Sequence, residues 1–373
     1  MSPIRHRCFA SLIGLVGLVA CASASAQIVI GQTAGFTGPV GDAVKETALG
    51  ARLYIDAVNT RGGVNGQRIE LVSIDDKFEP KLSAENAKKL ADQGVVALFL
   101  SRGTPNTQAI LPILADAKLP LVAPSTGAMV LHEPVNPYVF NVRTSYQREA
   151  ERVVHHQALA GVKQIAIVRA DDSFGADVYI GAMKGFNDLK MKPVLDEKFD
   201  RFKPDFSAIA PKVKQSNAQV VLLICSGSTL AAGTRAIRAA GSQAQILTLS
   251  NNAAGGIIKQ MGDDARGTIV SQVFPDERSG AAPIVLEAQD LARAKKIDSL
   301  TPAMMEGFAG AKVLVEGLRR AGAHPTREKL LAALNGLQNF DIGGMQLSYS
   351  RADHTGLDFV DLSIIGRDGK FHR

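Results

Sequence analysis

Residues 35–76, GFTGPVGDAVKETALGARLYIDAVNTRGGVNGQRIELVSIDD, place a glycine turn, an amphipathic helix, a second turn and a strand ending in paired acids in that order. Val44, Ala48, Ala51, Ile55 and Val58 recur at three- and four-residue steps and form one apolar stripe, which predicts a helix over 41–60. Gly62, Gly63 and Asn65-Gly66 stop it. Ile69, Leu71 and Ile74 then make a β-rich run, and Asp75-Asp76 close it where open α/β sheets set their ligand crevices. The unit is an opening βαβ.

Working outward, short β-branched runs alternate with helical segments from Gln27 onward, so the fold class is α/β with a largely parallel sheet. Strands are expected at IVIG, IELVSI, VVALFL, LPLVAP, YVFNV, IAIVRA, VVLLI, ILTLS and GTIVSQVF. Helices are expected near 41–60, 83–93, 105–117, 146–160, 175–188, 206–215, 229–240, 281–296, 302–321 and 326–336. The 373 residues exceed one ordinary core, so two domains are expected. No low-complexity linker separates them, which points to a chain that crosses between two doubly wound lobes more than once.

The N-terminus carries Arg5 and Arg7, an apolar run from Phe9 to Ala22, and then Ala24-Ser25-Ala26. This pattern reads as a secretory signal over 1–26, cut before Gln27. Leu18-Val19-Ala20-Cys21 offers a rival reading, a lipobox that would anchor the protein through Cys21. The run is shorter than the roughly 20 residues a membrane-spanning helix needs. Residues 1–26 hold two arginines and no acids, so the formal charge falls from +6 to +4 without them. Lysines and arginines alternate with acids along the helices instead of clustering, which argues against a nucleic-acid partner. Cleavage would leave Cys225 as the one cysteine. No internal disulfide is then possible, and after the strand VVLLI a buried, unreactive thiol is expected.

Two turns concentrate polar chemistry. In GTPNTQ (103–108), Thr104 can cap the following helix and Pro105 can occupy its first turn, so free N–H groups and a hydroxyl converge beside Gly103. In APSTG (123–127), Ser125, Thr126 and Gly127 bring hydroxyls and backbone donors to the end of the next strand. The motifs GxSxG, HExxH, Walker A and GxGxxG are absent. His155 and His156 are adjacent, hence about 100° apart on a helix, and cannot chelate one metal together. The sequence predicts no enzyme, no cofactor and no metal.

The ordered set Thr37-Gly38-Pro39, Gly50-Ala51, Asp56, Asn59, Gly62-Gly63, Asn65-Gly66, Asp75-Asp76 and Pro80 resembles the type I periplasmic binding proteins, in their leucine/isoleucine/valine-binding branch. GTPNTQ, LVAPSTGA (121–128), FNVRTS (140–145), DDSFGAD (171–177) and MEGFAGAKVLVEGLRRAG (305–322) extend the likeness over nearly all of the chain. The resemblance implies two Rossmann-like lobes joined by a three-segment hinge. Lobe 1 would be 27–142 plus 274–349, and lobe 2 143–273 plus 350–373. It implies a periplasmic, monomeric receptor that delivers a small solute to the inner-membrane permease of an ABC importer. A ligand sensor for a signalling system is the alternative, and an exported hydrolase a third.

The same resemblance assigns the solute's carboxylate to Thr104, and has the loop of Ser125 and Thr126 offer carbonyl oxygen and hydroxyl to the solute's ammonium and carboxylate groups. From lobe 2 it implicates Tyr146, Phe174, Ser226 and Ser250. Three departures bear on the solute. The acid that grips the ligand ammonium in these relatives aligns with Ser250, a pocket aromatic with Ala43, and an aromatic pair with Ser226 and Gly227. A carboxylate-bearing solute larger than leucine, aromatic acids among them and without a required amino group, is the expectation.

Overall fold

A computed structural model describes residues 27–373; the expected signal sequence and Cys21 lie outside the described residues. The first sheet is built from β1 (Ile28–Ala34), β2 (Ile69–Asp75), β3 (Ala97–Phe99), β4 (Leu121–Val122) and β5 (Val139–Phe140), all parallel, in the order β2-β1-β3-β4-β5. Between them run α1 (Gly41–Thr60), α2 (Pro80–Asp92) and α3 (Thr104–Ala117). Every residue of the predicted α1 stripe is buried, as a helix covering a sheet requires.

The chain then enters α4 (Tyr146–Leu159) and builds a second sheet from β6 (Ile165–Ala170), β7 (Leu195–Phe199), β8 (Val220–Ile224), β9 (Gln245–Thr248) and β10 (Ile269–Gln272). Helices α5 (Ser173–Asp188), α6 (Ile209–Gln215), α7 (Ser228–Ala239) and α8 (Gly255–Met261) connect these strands. It returns to the first sheet with α9 (Pro283–Ala294), α10 (Pro302–Arg320), α11 (Arg327–Asn335) and the small ladder of β11 (Phe340–Asp341) with β12 (Gln346–Leu347). A last passage adds β13 (Asp361–Ile365) antiparallel to β10, followed by β14 (Phe371–His372), giving the order β14-β13-β10-β9-β8-β6-β7.

Each sheet therefore collects pieces from distant parts of the chain. The core of the first runs from Ile28 to Leu357 and includes Met305, Phe308 and Leu314 of α10. Both sheets are doubly wound, and their main strands are parallel, so the fold is α/β with two Rossmann-like lobes. Strands β7, β13 and β14 were not expected, nor was α8. In β7 the sequence LDEKF has only Phe199 buried, and β13 also alternates exposed and buried positions. Both lie toward the outside of the sheet, where polar side chains replace the apolar runs that mark a central strand. Among the described residues no helix is long and apolar enough to cross a membrane.

Candidate functional site

The carboxyl ends of the two sheets face each other, which is where a doubly wound fold exposes turn residues and helix N-termini. In the β3–α3 turn, Gly103 occupies the N-cap with φ +90°. A Cβ there would sit 2.6 Å from the Phe78 ring, so glycine answers both the backbone angle and the space. Thr104 is thus the first helical residue and not the cap. Its buried hydroxyl reaches across to the next turn and shares a hydrogen bond of 2.8 Å with Thr126 Oγ1. Ser125 is fixed beside them, donating its N–H to Ser101 O at 2.7 Å. Gly127 accepts from Tyr146 N at 2.6 Å, which ties this turn to the start of α4.

From the second sheet, Tyr146 and Phe174 meet edge to face with ring centroids 5.0 Å apart, both buried at the N-terminal ends of α4 and α5. Ser250 accepts from Arg143 Nη2 at 2.7 Å and donates its N–H to Glu149 Oε2 at 3.1 Å. Ser226 accepts from Asn251 Nδ2 at 3.0 Å, a bond internal to the second lobe. The hydroxyl pair Thr104–Thr126 and the aromatic pair Tyr146–Phe174 are thus each brought into contact, while Ser226 and Ser250 bond to different partners.

Three guanidiniums absent from the sequence-based candidates complete the site. Arg102 Nη1 donates to Ser125 Oγ at 2.9 Å and its Nη2 to Asn251 O, on the other sheet, at 2.5 Å. Arg143 is 1% exposed, pairs with Glu149, and lies 3.8 Å from Glu306 Oε1 with its plane 4.5 Å over the Tyr146 ring. Arg201 pairs with Asp172 at 2.9 Å, donates to Asn106 Oδ1 in the first turn of α3 at 3.1 Å, and stacks on Phe78 at 3.9 Å. A signal for Arg102 existed, since it stands two residues before Thr104 in the same strand-to-helix turn. For Arg201 there was none, because the strand that delivers it, β7, was itself unread.

Burial sets the protonation equilibria here. Burial would push the Arg143 guanidinium down, but Glu149, Tyr146 and Glu306 hold it above its usual range. Burial lowers Arg201, an effect that Asp172 only partly offsets. The Tyr146 phenol is raised by burial against the pull of Arg143 and Arg102. Asp75 and Asp76 take structural parts: Asp75 accepts from the Thr37 hydroxyl at 2.5 Å, and Asp76 from Ser83 at 2.7 Å and Phe78 N at 2.9 Å. Cys225 is buried, and burial pushes its thiol up and away from reactivity. His155 lies 3.4 Å from Asp188, and Lys184 Nζ sits 3.1 Å from the neighbouring Glu151, so that acid already has its cation.

The two lobes are closed on each other. Ser228 N donates to Pro39 O at 2.9 Å, and Ser173 Oγ to Gln108 Oε1 at 2.5 Å. Glu46 of α1 accepts from Gly255 N at 3.0 Å and Gly256 N at 2.8 Å at the start of α8. Between Phe78, Phe174, Arg201 and Ser226 remains a void of about 20 Å³, room for roughly one water. An amino-acid-sized solute enters this arrangement only if the lobes part.

Residues 27–360 match the family described as periplasmic binding protein, and the chain belongs to that family, in its Leu/Ile/Val-binding branch. It is 27% identical over 359 residues to Leu/Ile/Val-binding protein homolog 3 of Brucella melitensis biotype 1, covering 92% of this chain and 91% of that one. The leucine-, isoleucine-, valine-, threonine-, and alanine-binding protein of Pseudomonas aeruginosa is 25% identical over 334 residues, with 88% and 87% covered. A substrate-binding periplasmic protein from Ralstonia solanacearum superposes with a TM-score of 0.86 at 30% identity, over 92% of this chain and 99% of that one. The family consists of substrate-binding proteins of transporters, not enzymes, and membership places this chain with periplasmic receptors of ABC importers.

Proposed function

We propose that the protein captures a small carboxylate-bearing solute between its lobes and presents the closed form to the inner-membrane permease of an ABC importer. The working unit is a monomer with lobe 1 formed by 27–142 plus 274–349 and lobe 2 by 143–273 plus 350–373. The observation that carries this reading is the Thr104–Thr126 hydroxyl pair at the ends of β3 and β4, set among buried groups that come from both lobes. The Thr104 hydroxyl and the free N–H groups of the first turn of α3 bind the carboxylate. Ser125, Thr126, Gly103 and Gly127 shape that end, while Tyr146, Phe174, Ser226 and Ser250 close over the rest of the solute.

Transport then follows from a population shift. The solute binds the closed arrangement better than the open one, and a permease that distinguishes the two receives only loaded receptor. The relatives' names specify leucine, isoleucine and valine, with threonine and alanine added in one, but Ser250 bonds to Arg143 and offers no carboxylate to a ligand ammonium. Organic acids, aromatic ones included, therefore belong in the search beside the amino acids.

A thermal-shift screen of amino acids, aromatic acids and dicarboxylates on residues 27–373, followed by calorimetry, tests the proposal. A stabilising solute should bind about tenfold more weakly to Thr104→Ala, the expected effect of one lost charge-assisted bond. Unchanged affinity would remove Thr104 from the site, and conversion of the solute to product would make the protein an enzyme instead.

A further inference from the structure

The buried charges of the cleft do not balance pair by pair. Glu149 is taken up by Arg143, Ser250 N and Ser271 Oγ, and Asp172 by Arg201. Glu306 stands 3.8 Å from Arg143. Arg102 is left with two neutral oxygens, the Ser125 hydroxyl of its own lobe and the Asn251 carbonyl of the other, and no carboxylate lies within ion-pair distance of it among the described residues. It is nonetheless 3% exposed. Burying a guanidinium without a counter-ion is costly, and two neutral acceptors compensate it only in part.

Its position tells where the missing charge would come from. Arg102 stands two residues before Thr104, bonds the serine adjacent to Thr126, and reaches the opposite lobe only when the lobes are together. We propose that Arg102 is the charge-selecting residue of the interlobe site, and that the preferred solute is a net-anionic organic acid without a compensating ammonium. Building on the solute-capture reading, the acid group of the solute neutralises Arg102 as the second lobe covers it. Closing on a neutral solute leaves that cation buried and unpaired, and a zwitterion brings with its carboxylate an ammonium that offsets the very charge Arg102 selects. The device thus reads charge and gates closure with the same side chain.

Two sets of probes share a skeleton and differ in charge: 3-phenylpropionate, phenylalanine and 3-phenylpropionamide; 4-methylpentanoate, leucine and 4-methylpentanamide. Calorimetry on residues 27–373 should rank the acid first, then the amino acid, then the amide, in at least one set. In Arg102→Met the acid should lose at least about 30-fold in affinity, the scale of removing one partner of a buried charge pair, and the acid-to-amide preference should collapse to within about threefold. Arg102→Lys should restore part of the preference. A readout independent of any solute is the solute-free protein itself. Without the unpaired charge, Arg102→Met should melt higher and show a smaller radius of gyration by small-angle scattering than the wild type.

An Arg102→Met protein that keeps the acid preference, or whose solute-free form is neither more compact nor more stable, overturns the inference. A wild type that captures amino acids or amides more tightly than acids also overturns it, while leaving solute capture standing. A wild type that binds none of the six probes nor any other amino acid or organic acid overturns both.

Discussion

His132 buries an imidazole with neither ring nitrogen hydrogen-bonded among the described residues. Burial, reinforced by the nearby Arg143 charge, lowers its pKa from 6.5 to about 4, against a small opposing pull from Asp353. The sign follows directly. Between those values the unfolded chain binds a proton that the folded one refuses, so the stabilisation is complete above pH 6.5 and is lost as the pH falls toward 4. This one residue should account for about 3 kcal/mol of the stability lost between pH 7 and pH 4. Urea unfolding of His132→Leu at both pH values should show a correspondingly shallower dependence, and an unchanged slope would assign the acid sensitivity elsewhere. Around it the side-chain scale was only partly legible. Thr104, Ser125 and Thr126 follow apolar strands and announce themselves as strand-end hydroxyls, whereas the arginines beside them resemble any other basic residue until two lobes are folded together.

At the scale of elements, closure depends on backbones approaching without side chains between them. Gly227, the N-cap of α7, has φ +62°, and a Cβ there would lie 1.8 Å from Pro39 O in the other lobe. Gly227→Ala should wedge the lobes apart and strain its own backbone. The expected result is a larger radius of gyration in the presence of solute and an affinity reduced by about tenfold or more, since the competent arrangement becomes a minority. A scattering profile like the wild type's would show that the lobes meet elsewhere. Elements with one repeating pattern were readable in advance: β6 and β8 coincide with IAIVRA and VVLLI because both are buried throughout. Short α8 and strands β7 and β13 have no such run, and tertiary pairing alone makes them regular.

For the whole molecule, opening and closing must be nearly balanced for a solute to tip it. Glu46 contributes to that balance from outside the solute site: its carboxylate accepts from Gly255 N, Gly256 N and Thr301 Oγ1 at 3.0, 2.8 and 2.7 Å. The first two bonds join α1 to α8 across the lobes and are broken on opening. Glu46→Ala should raise the solute's dissociation rate by about tenfold, as loss of charge-assisted bonds predicts, and leave the association rate nearly unchanged. Stopped-flow fluorescence or surface capture would separate the two. A change confined to association would mean that Glu46 guides entry instead of latching closure.

The interleaved path of the chain has a consequence for biosynthesis. Helices α9–α11 and Tyr349, which seal the core of the first sheet, are translated after the entire β6–β10 block. In the first half of a nascent polypeptide α1 can cover the sheet, but the rest of that core is completed only when the ribosome has nearly finished. Such long-range pairing delays folding. A late-maturing chain therefore stays extended, and open to whatever acts on extended polypeptide, through most of its synthesis.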